Sequence, residues 1–206
     1  MKIAIIGAGE LGKLVAHHAI NDSNFTVVGY YDDFKEANFN GFPLLGKIND
    51  AFLDYTSNKF EQIFIAIGYA QMAARKHYYK KFKSKIPLAN IIHTSSYIDI
   101  SCQIGEGVFI LPGCTLDFGV EIKDNVVLNT GITIAHHTKI GTNTFVAPAV
   151  QMAGLINIAE NCFIGIGATI KDCINIGKNS IIGAGAVVLK DTSENSTSIG
   201  VPAKEI

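Results

Sequence analysis

The chain has 206 residues, with 17 basic and 18 acidic side chains, so its charge balance argues against nucleic acid or an anionic membrane as a partner. No apolar run approaches the length of a membrane span, which excludes membrane insertion, and glycines interrupt the opening "MKIAIIGAGE" at once, so it reads as a first strand and not as a signal peptide. Four cysteines (Cys102, Cys114, Cys162, Cys173) stand far apart with no C-x-x-C pair, the pattern of a reduced, cytoplasmic protein without a disulfide framework.

In chain order, "KIAIIG" is a buried-strand pattern, and "GAGELGKLVAHHAI" is a glycine-rich turn leading into a helix. "FTVVGYYDD" is a second strand ending in two acidic residues, and "EQIFIAIG" a third. "MAARKHYYKKF" is helical and "IPLANIIH" a final strand. Alternation of this kind predicts a small Rossmann-like α/β domain with a parallel sheet, over residues 1–93.

Gly7, Gly9 and Gly12 form G-x-G-x-x-G between a strand and a helix, with Asp32 and Asp33 about twenty residues on, the spacing of a dinucleotide site. Only about one mononucleotide-binding half precedes the change of pattern, which argues against NAD. Gly7-x4-Gly12-Lys13 also approaches a P-loop, but Leu14 stands where the Mg²⁺-binding Ser or Thr is needed, so NTP hydrolysis is not expected. What survives is a turn whose N–H groups and helix N-terminus can hold a phosphate or pyrophosphate, with a turn kept only for tight packing as the alternative.

From Ile98 to Val188 every sixth residue is a large aliphatic one or Met152, over sixteen successive positions. A second track, four residues after each of these, holds small or β-branched residues from Cys102 to Ala186. Only a hexapeptide β-helix explains a sustained period of six: the aliphatic residue fills a narrow prism and three hexads make one coil. Residues 94–206 are therefore read as an all-β domain, with three cysteines on the small-residue track as buried structural thiols. Gly recurs right after the aliphatic position, at Gly105, Gly141, Gly165, Gly177 and Gly183, where it is expected to supply corner backbone angles.

Within this repeat lies "NTGITIAHHTKIG", residues 129–141. His136 follows the inward Ile134 by two and should project outward, where a histidine is commonly just solvated. The 18-residue coil places Phe118 one coil before it and Gly154 one coil after it, so bare backbone leaves room for an extended ligand and a free N–H to meet it. Two adjacent histidines point differently and make a poor metal set, so no metal is expected. His17, His18 and His77 fall in predicted helices as surface or packing residues, and His93 is given no role.

A small nucleotide-binding α/β domain joined to a hexapeptide β-helix resembles the bacterial nucleotide-sugar N-acetyltransferases. These include the bacillosamine-pathway and perosamine enzymes, with the sialic acid O-acetyltransferases as relatives. The resemblance rests on "GAGELGK", "YYDDFK", "FIAIG", "NTGITIAHHTKIG", "NCFIGIGATI", "IIGAGAVVLKD" and "GVPAK", and covers essentially the whole chain. It implies a left-handed β-helix, a homotrimer with active sites between subunits, acetyl-CoA as co-substrate and a sugar nucleotide held by the N-terminal domain. It places the general base on His136, with Asn129 and the position of His137 also in the catalytic set. Substrate contacts fall on Gly9, Glu10, Leu11, Asp32, Asp33 and Gly68, and cofactor contacts on Phe145, Gly154, Ile166 and Ala184.

Three departures stand out. His137 occupies a place where the family usually has an acidic residue, and Leu11 and Phe145 each replace a histidine. The expected activity is acetyl transfer to the amine of a nucleotide-linked 4-amino-4,6-dideoxyhexose. Sugar O-acetylation of the sialic acid type and a non-catalytic sugar-nucleotide-binding scaffold are the alternatives.

Overall fold

The apolar run after Met1 forms β1 (Lys2–Ile6), buried on both faces as the central strand of a parallel sheet must be. The computed structural model describes every residue from Met1 to Ile206 and divides into two units, Met1–Ile92 and His93–Ile206. In the first unit, α1 (Glu10–Asn21) leads to β2 (Thr26–Tyr31), β3 (Leu44–Gly46), α2 (Ala51–Thr56), β4 (Gln62–Ile65) and α3 (Met72–Phe82). The four strands are parallel, in the order β3-β2-β1-β4. The chain departs from β1 in one direction to β2 and returns on its other side as β4, so a crevice opens beyond the carboxyl ends of β1 and β4.

Neither β3 nor α2 was expected, because three and six residues are too few to carry a period. The expected strand "IPLANIIH" is mostly irregular: Leu88 bridges Ile63, and only Ile91–Ile92 forms a strand. Pro87 explains part of this, since it has no N–H to give a ladder, although its carbonyl accepts from Ile63 N–H at 3.0 Å. His18 is buried on α1 with Nδ1 2.7 Å from an oxygen of Asp22, whereas His17 and His77 are exposed. No helix is long and apolar enough to cross a membrane.

The second unit is a three-faced parallel β-helix in which each hexad contributes a two-residue strand, from Tyr97–Ile98 to Val187–Val188. The second residue of each strand points inward. Leu116, Ile122, Leu128, Ile134, Ile140 and their successors are buried, as are the second-track residues from Val108 to Ala186. Each fully buried aliphatic side chain contributes about 1.5–3 kcal/mol, repeated at every hexad. The first face runs from Tyr97 through Thr115, Thr133, Gln151 and Thr169 to Val187. The second holds Gln103, Glu121, Lys139, Asn157 and Asn175, and the third begins at Phe109 and ends with Thr197–Ile199 and an antiparallel Lys204–Glu205.

The glycines after the inward residue have a different job from the one expected of them. Their φ values are not left-handed; a Cβ on Gly141 would lie 2.5 Å from the Ala159 carbonyl carbon and one on Gly165 2.6 Å from Ala184 N. They are bare because the next coil passes too close. The left-handed backbone sits two residues later, at every sixth residue from Gly107 to Gly185. At the corner between the second and third faces that position is Asn in four successive coils, with Asn195 continuing the series. Asn tolerates this conformation, and here its amides also stack: Asn125 donates to Asn143 (2.7 Å), Asn143 to Asn161 (2.6 Å), Asn161 to Asn179 (2.8 Å) and Asn179 to Asn195 (2.8 Å).

Candidate active site

In the α/β unit the crevice at the strand ends is a cleft of ≈ 350 Å³, walled by Gly7 and Gly9 after β1, Asp32 to Phe34 after β2, and Ala66 to Gly68 after β4. Ile48, Ala70, Gln71, Ala74 and Tyr78 complete it. Gly12 packs against the turn, since a Cβ there would lie 2.4 Å from the Gly7 carbonyl oxygen. Gly9 and Gly68 face open space, so bare backbone meets the cleft from two sides. The N-terminus of α1 has no side-chain cap, which leaves its first N–H groups available to an anion.

The two acidic residues hold the cleft wall together. Asp32 accepts from Ala8 N–H (2.8 Å) with one oxygen, and from Phe34 N–H (2.8 Å) and Lys35 N–H (3.1 Å) with the other. Asp33 accepts from Tyr78 Oη (2.6 Å) and Ile48 N–H (3.0 Å). Burial pushes the Asp33 carboxyl up, but the Tyr78 hydroxyl, the Ile48 N–H, Lys47 and Lys81 together outweigh it, so it lies below the usual carboxylate range. Its bond to Asp33 in turn pushes Tyr78 up to about 12. Arg75, fully buried on α3, donates to the carbonyls of Ile65 (3.0 Å) and Ile67 (3.1 Å) and so fixes the end of β4; burial lowers it to about 9.

Of the expected substrate contacts, Gly9, Asp32, Asp33 and Gly68 line the cleft. Glu10 and Leu11 do not: Glu10 turns its carboxylate to Lys13 (2.8 Å) in solvent, and Leu11 begins the helix half-buried. Tyr78, Phe34 and Gln71 were not foreseen. Tyr78 is placed by the register of α3 against the loop after β2, a tertiary pairing with no local signal.

In the β-helix, His136 and His137 occupy the corner between the first and second faces, both exposed. A Cβ on Gly154 would lie 2.6 Å from His136 Nε2 and 2.7 Å from its Cε1, so the imidazole edge fills the space that glycine leaves. No protein acceptor takes the Gly154 N–H. His137 has φ 57° and packs on the preceding coil, against Gly119 and edge-on to Phe118 at 5.2 Å. Phe118, expected beside His136, therefore meets His137. The two Nδ1 atoms are 3.2 Å apart. Beneath them, buried Thr138 donates to Ala153 O (3.0 Å) and accepts from Ile156 N–H (3.3 Å), which holds the Gly154 turn in place.

Ile166 and Ala184 lie exposed one coil apart at the corner between the third and first faces, linked by Gly185 N–H to Ile166 O (2.8 Å). Asn129 is at the same corner, its Oδ1 accepting from Thr130 N–H (2.9 Å), and lies across the first face from the His136 corner. Phe145 is buried on the third face, stacked on Phe163 at 6.1 Å. The thiols of Cys114 and Cys162 are buried, and burial pushes both up; Cys173 is exposed two coils beyond His137.

Residues 2–82 match the model of the PglD N-terminal domain. Residues 102–135 match the hexapeptide repeat of succinyl-transferase, and residues 156–190 the bacterial transferase hexapeptide (six repeats). Among solved structures the chain is similar to PerB from Caulobacter crescentus in complex with CoA and GDP-perosamine, at 29% identity and a TM-score of 0.92, covering 100% of this chain and 97% of that one. The chain thus joins a PglD-type N-terminal domain to hexapeptide repeats and is similar over its whole length to nucleotide-sugar N-acetyltransferases. It is also similar to the acetyltransferase domain of PglB from Neisseria gonorrhoeae in complex with acetyl coenzyme A, at 28% identity and a TM-score of 0.89, covering 100% and 98% of the two chains. No curated protein sequence matches it. The coils of the β-helix are left-handed, the fold of the structures it matches.

Proposed function

We propose that this acetyltransferase moves an acetyl group from acetyl-CoA to the amine of a nucleotide-linked 4-amino-4,6-dideoxyhexose, with His136 as general base. The observation that carries the reading is the His136 ring seated over Gly154, in a chain whose other unit opens a cleft at the strand-order reversal. The cleft wall offers backbone N–H groups at the glycine turn and carboxylates at the end of β2, with no lysine or arginine on its lining. Acceptors suit the N–H and O–H groups of a nucleoside, and the α1 N-terminus suits its phosphates. The similarity to PerB bound to CoA and GDP-perosamine supports the substrate class.

The chemistry fits the residue. An amine attacking a thioester carbonyl must lose one proton as the C–N bond forms and the C–S bond breaks. A neutral imidazole within reach takes that proton and supplies about 10²–10⁴-fold. In this reading the Gly154 N–H, taken by no protein acceptor, stabilises the developing oxyanion.

The working form in this reading is a homotrimer. His136 and Gly154 lie on one edge of the first face, and Asn129, Ile166 and Ala184 on the other. The strand residues of that face carry no charge, whereas those of the second include the Lys139–Glu121 pair (2.8 Å). Cyclic packing of first faces brings the His136 edge of one copy beside the Ile166 edge of the next.

The test is steady-state acetylation of a panel of UDP-, GDP- and dTDP-linked 4-amino-4,6-dideoxyhexoses. The His136→Ala variant should lose about 10²–10⁴-fold in kcat while binding the sugar nucleotide as before; full activity in that variant removes His136 as the base.

A further inference from the structure

Two ring nitrogens 3.2 Å apart, Nδ1 of His136 and Nδ1 of His137, attract each other only when one bears a proton and the other a lone pair. This contact is built into the corner. The peptide that joins the two residues is held from both sides, with His137 N–H donating to Phe118 O (2.9 Å) and Leu155 N–H donating to His136 O (2.9 Å). One ring then packs on each neighbouring coil: His137 on Gly119 and Phe118 of the coil before, His136 on Gly154 of the coil after. They meet nearly perpendicular, 83° apart with centroids at 5.4 Å, which brings the Nδ1 atoms together. The left-handed backbone at position 137 is what directs the second ring there, and histidine is among the few residues other than glycine that favour it.

We propose that His137 is a positioning residue that sets the tautomer of His136. His136 keeps its proton on Nδ1 and donates it to the Nδ1 lone pair of His137, which leaves His136 Nε2 as the basic nitrogen over Gly154. No proton moves between the rings during the reaction. When Nε2 takes the proton of the attacking amine, the Nδ1–H bond to His137 becomes charge-assisted and stronger, so the partner stabilises the imidazolium as well as orienting the base. A neutral imidazole thus fills the acceptor's place where the resemblance implies a carboxylate. The proposal rests on the reading of His136 as the base.

The fold supplies its own controls for a test. Leu155 occupies the equivalent corner position one coil on, with φ 60°, so His137→Leu is compatible with the backbone but offers no acceptor. His137→Asn keeps an acceptor oxygen and favours the same backbone. With acetyl-CoA and the best substrate of the panel, His137→Leu should lower kcat at least tenfold with KM values and melting temperature unchanged, and His137→Asn should recover most of that loss. Two-bond ¹⁵N–¹H correlation spectra of ¹⁵N-histidine-labelled wild type should show His136 protonated at Nδ1 and His137 at Nε2. The proposal is overturned by a His136 protonated at Nε2, by a His137→Leu variant as active as wild type, or by one whose loss lies in melting temperature and KM. His136→Ala in the same assay separates the two readings. If it is inactive while His137→Leu is fully active, only the tautomer proposal falls; if it is fully active, the base assignment falls and the proposal with it.

Discussion

In the α/β unit each polar contact around the cleft occurs once: Asp32 to Ala8, Asp33 to Tyr78, Arg75 to the end of β4. In the β-helix polar contacts recur, with the coil in the Asn125–Asn143–Asn161–Asn179 series and with the hexad in the Thr138 and Thr144 bonds. The α/β unit places its candidate site where the strand order reverses. The β-helix keeps its backbone repeat unbroken and places its own where the outward residues do not repeat, at a corner whose positions one coil before and after His136-His137 hold Phe118-Gly119 and Gly154-Leu155. In a repeat, what recurs serves stability, and what occurs once serves chemistry.

The sharpest way to test that division is Gly154→Ala. The backbone there is not left-handed, so alanine fits the chain, and the atoms its Cβ meets belong to the His136 ring, which can swing out. Melting temperature should hardly move. A ring displaced by about an ångström should lower kcat by about 10²-fold. Unchanged kcat would mean that the seat over Gly154 is not the working position of His136.

The opposite substitution is Asn143→Ala, at a recurring position. It removes two side-chain hydrogen bonds, from Asn125 and to Asn161, and puts a Cβ-branching-free but amide-free residue at φ 61°. Each bond contributes about 0.5–1.5 kcal/mol, so urea unfolding should show a loss of about 2 kcal/mol. Specific activity at low temperature should be unchanged. A kcat loss without a stability loss would break the comparison.

These two positions also mark how much of the molecule was legible in the sequence. The inward residues were readable because the prism demands one aliphatic side chain per hexad, whatever the surface does. Gly154 beside His136 was readable too, since the coil fixes which residues are neighbours. The Asn series was missed although it has the same period, because Asn125, Asn143, Asn161 and Asn179 read as ordinary polar turn residues until their shared left-handed φ is known. Gly141 and its equivalents were assigned to backbone freedom, when the cause is the approach of the next coil. Around the cleft, Gly9, Asp32 and Asp33 carried a local motif, but Tyr78 and Ile48 reach Asp33 only through tertiary packing. The engagement of both carboxylates by the protein itself was invisible for the same reason.

The smallest effect separates the two units by pH. Glu121, outward on the second face, pairs with Lys139 on the next coil (2.8 Å) and with Lys123 (2.9 Å), and these lower its carboxyl from 4.5 to about 2. A carboxyl lowered by folding stabilises the native state above its unfolded value, and that contribution is lost as pH falls from about 4.5 toward about 2. Partly exposed pairs contribute little, about 0.5 kcal/mol here, and salt screens them. Urea unfolding from pH 5 to pH 2.5 should therefore fall slightly more steeply in wild type than in Glu121→Gln, with the difference shrinking in 1 M NaCl and no change in KM at neutral pH. Asp33 is lowered as well, but its partners Tyr78 and Ile48 line the cleft, so Asp33→Asn should raise KM for the sugar nucleotide. If Glu121→Gln raised KM as Asp33→Asn does, recurring surface pairs would be part of the site, and the division between the two units would not hold.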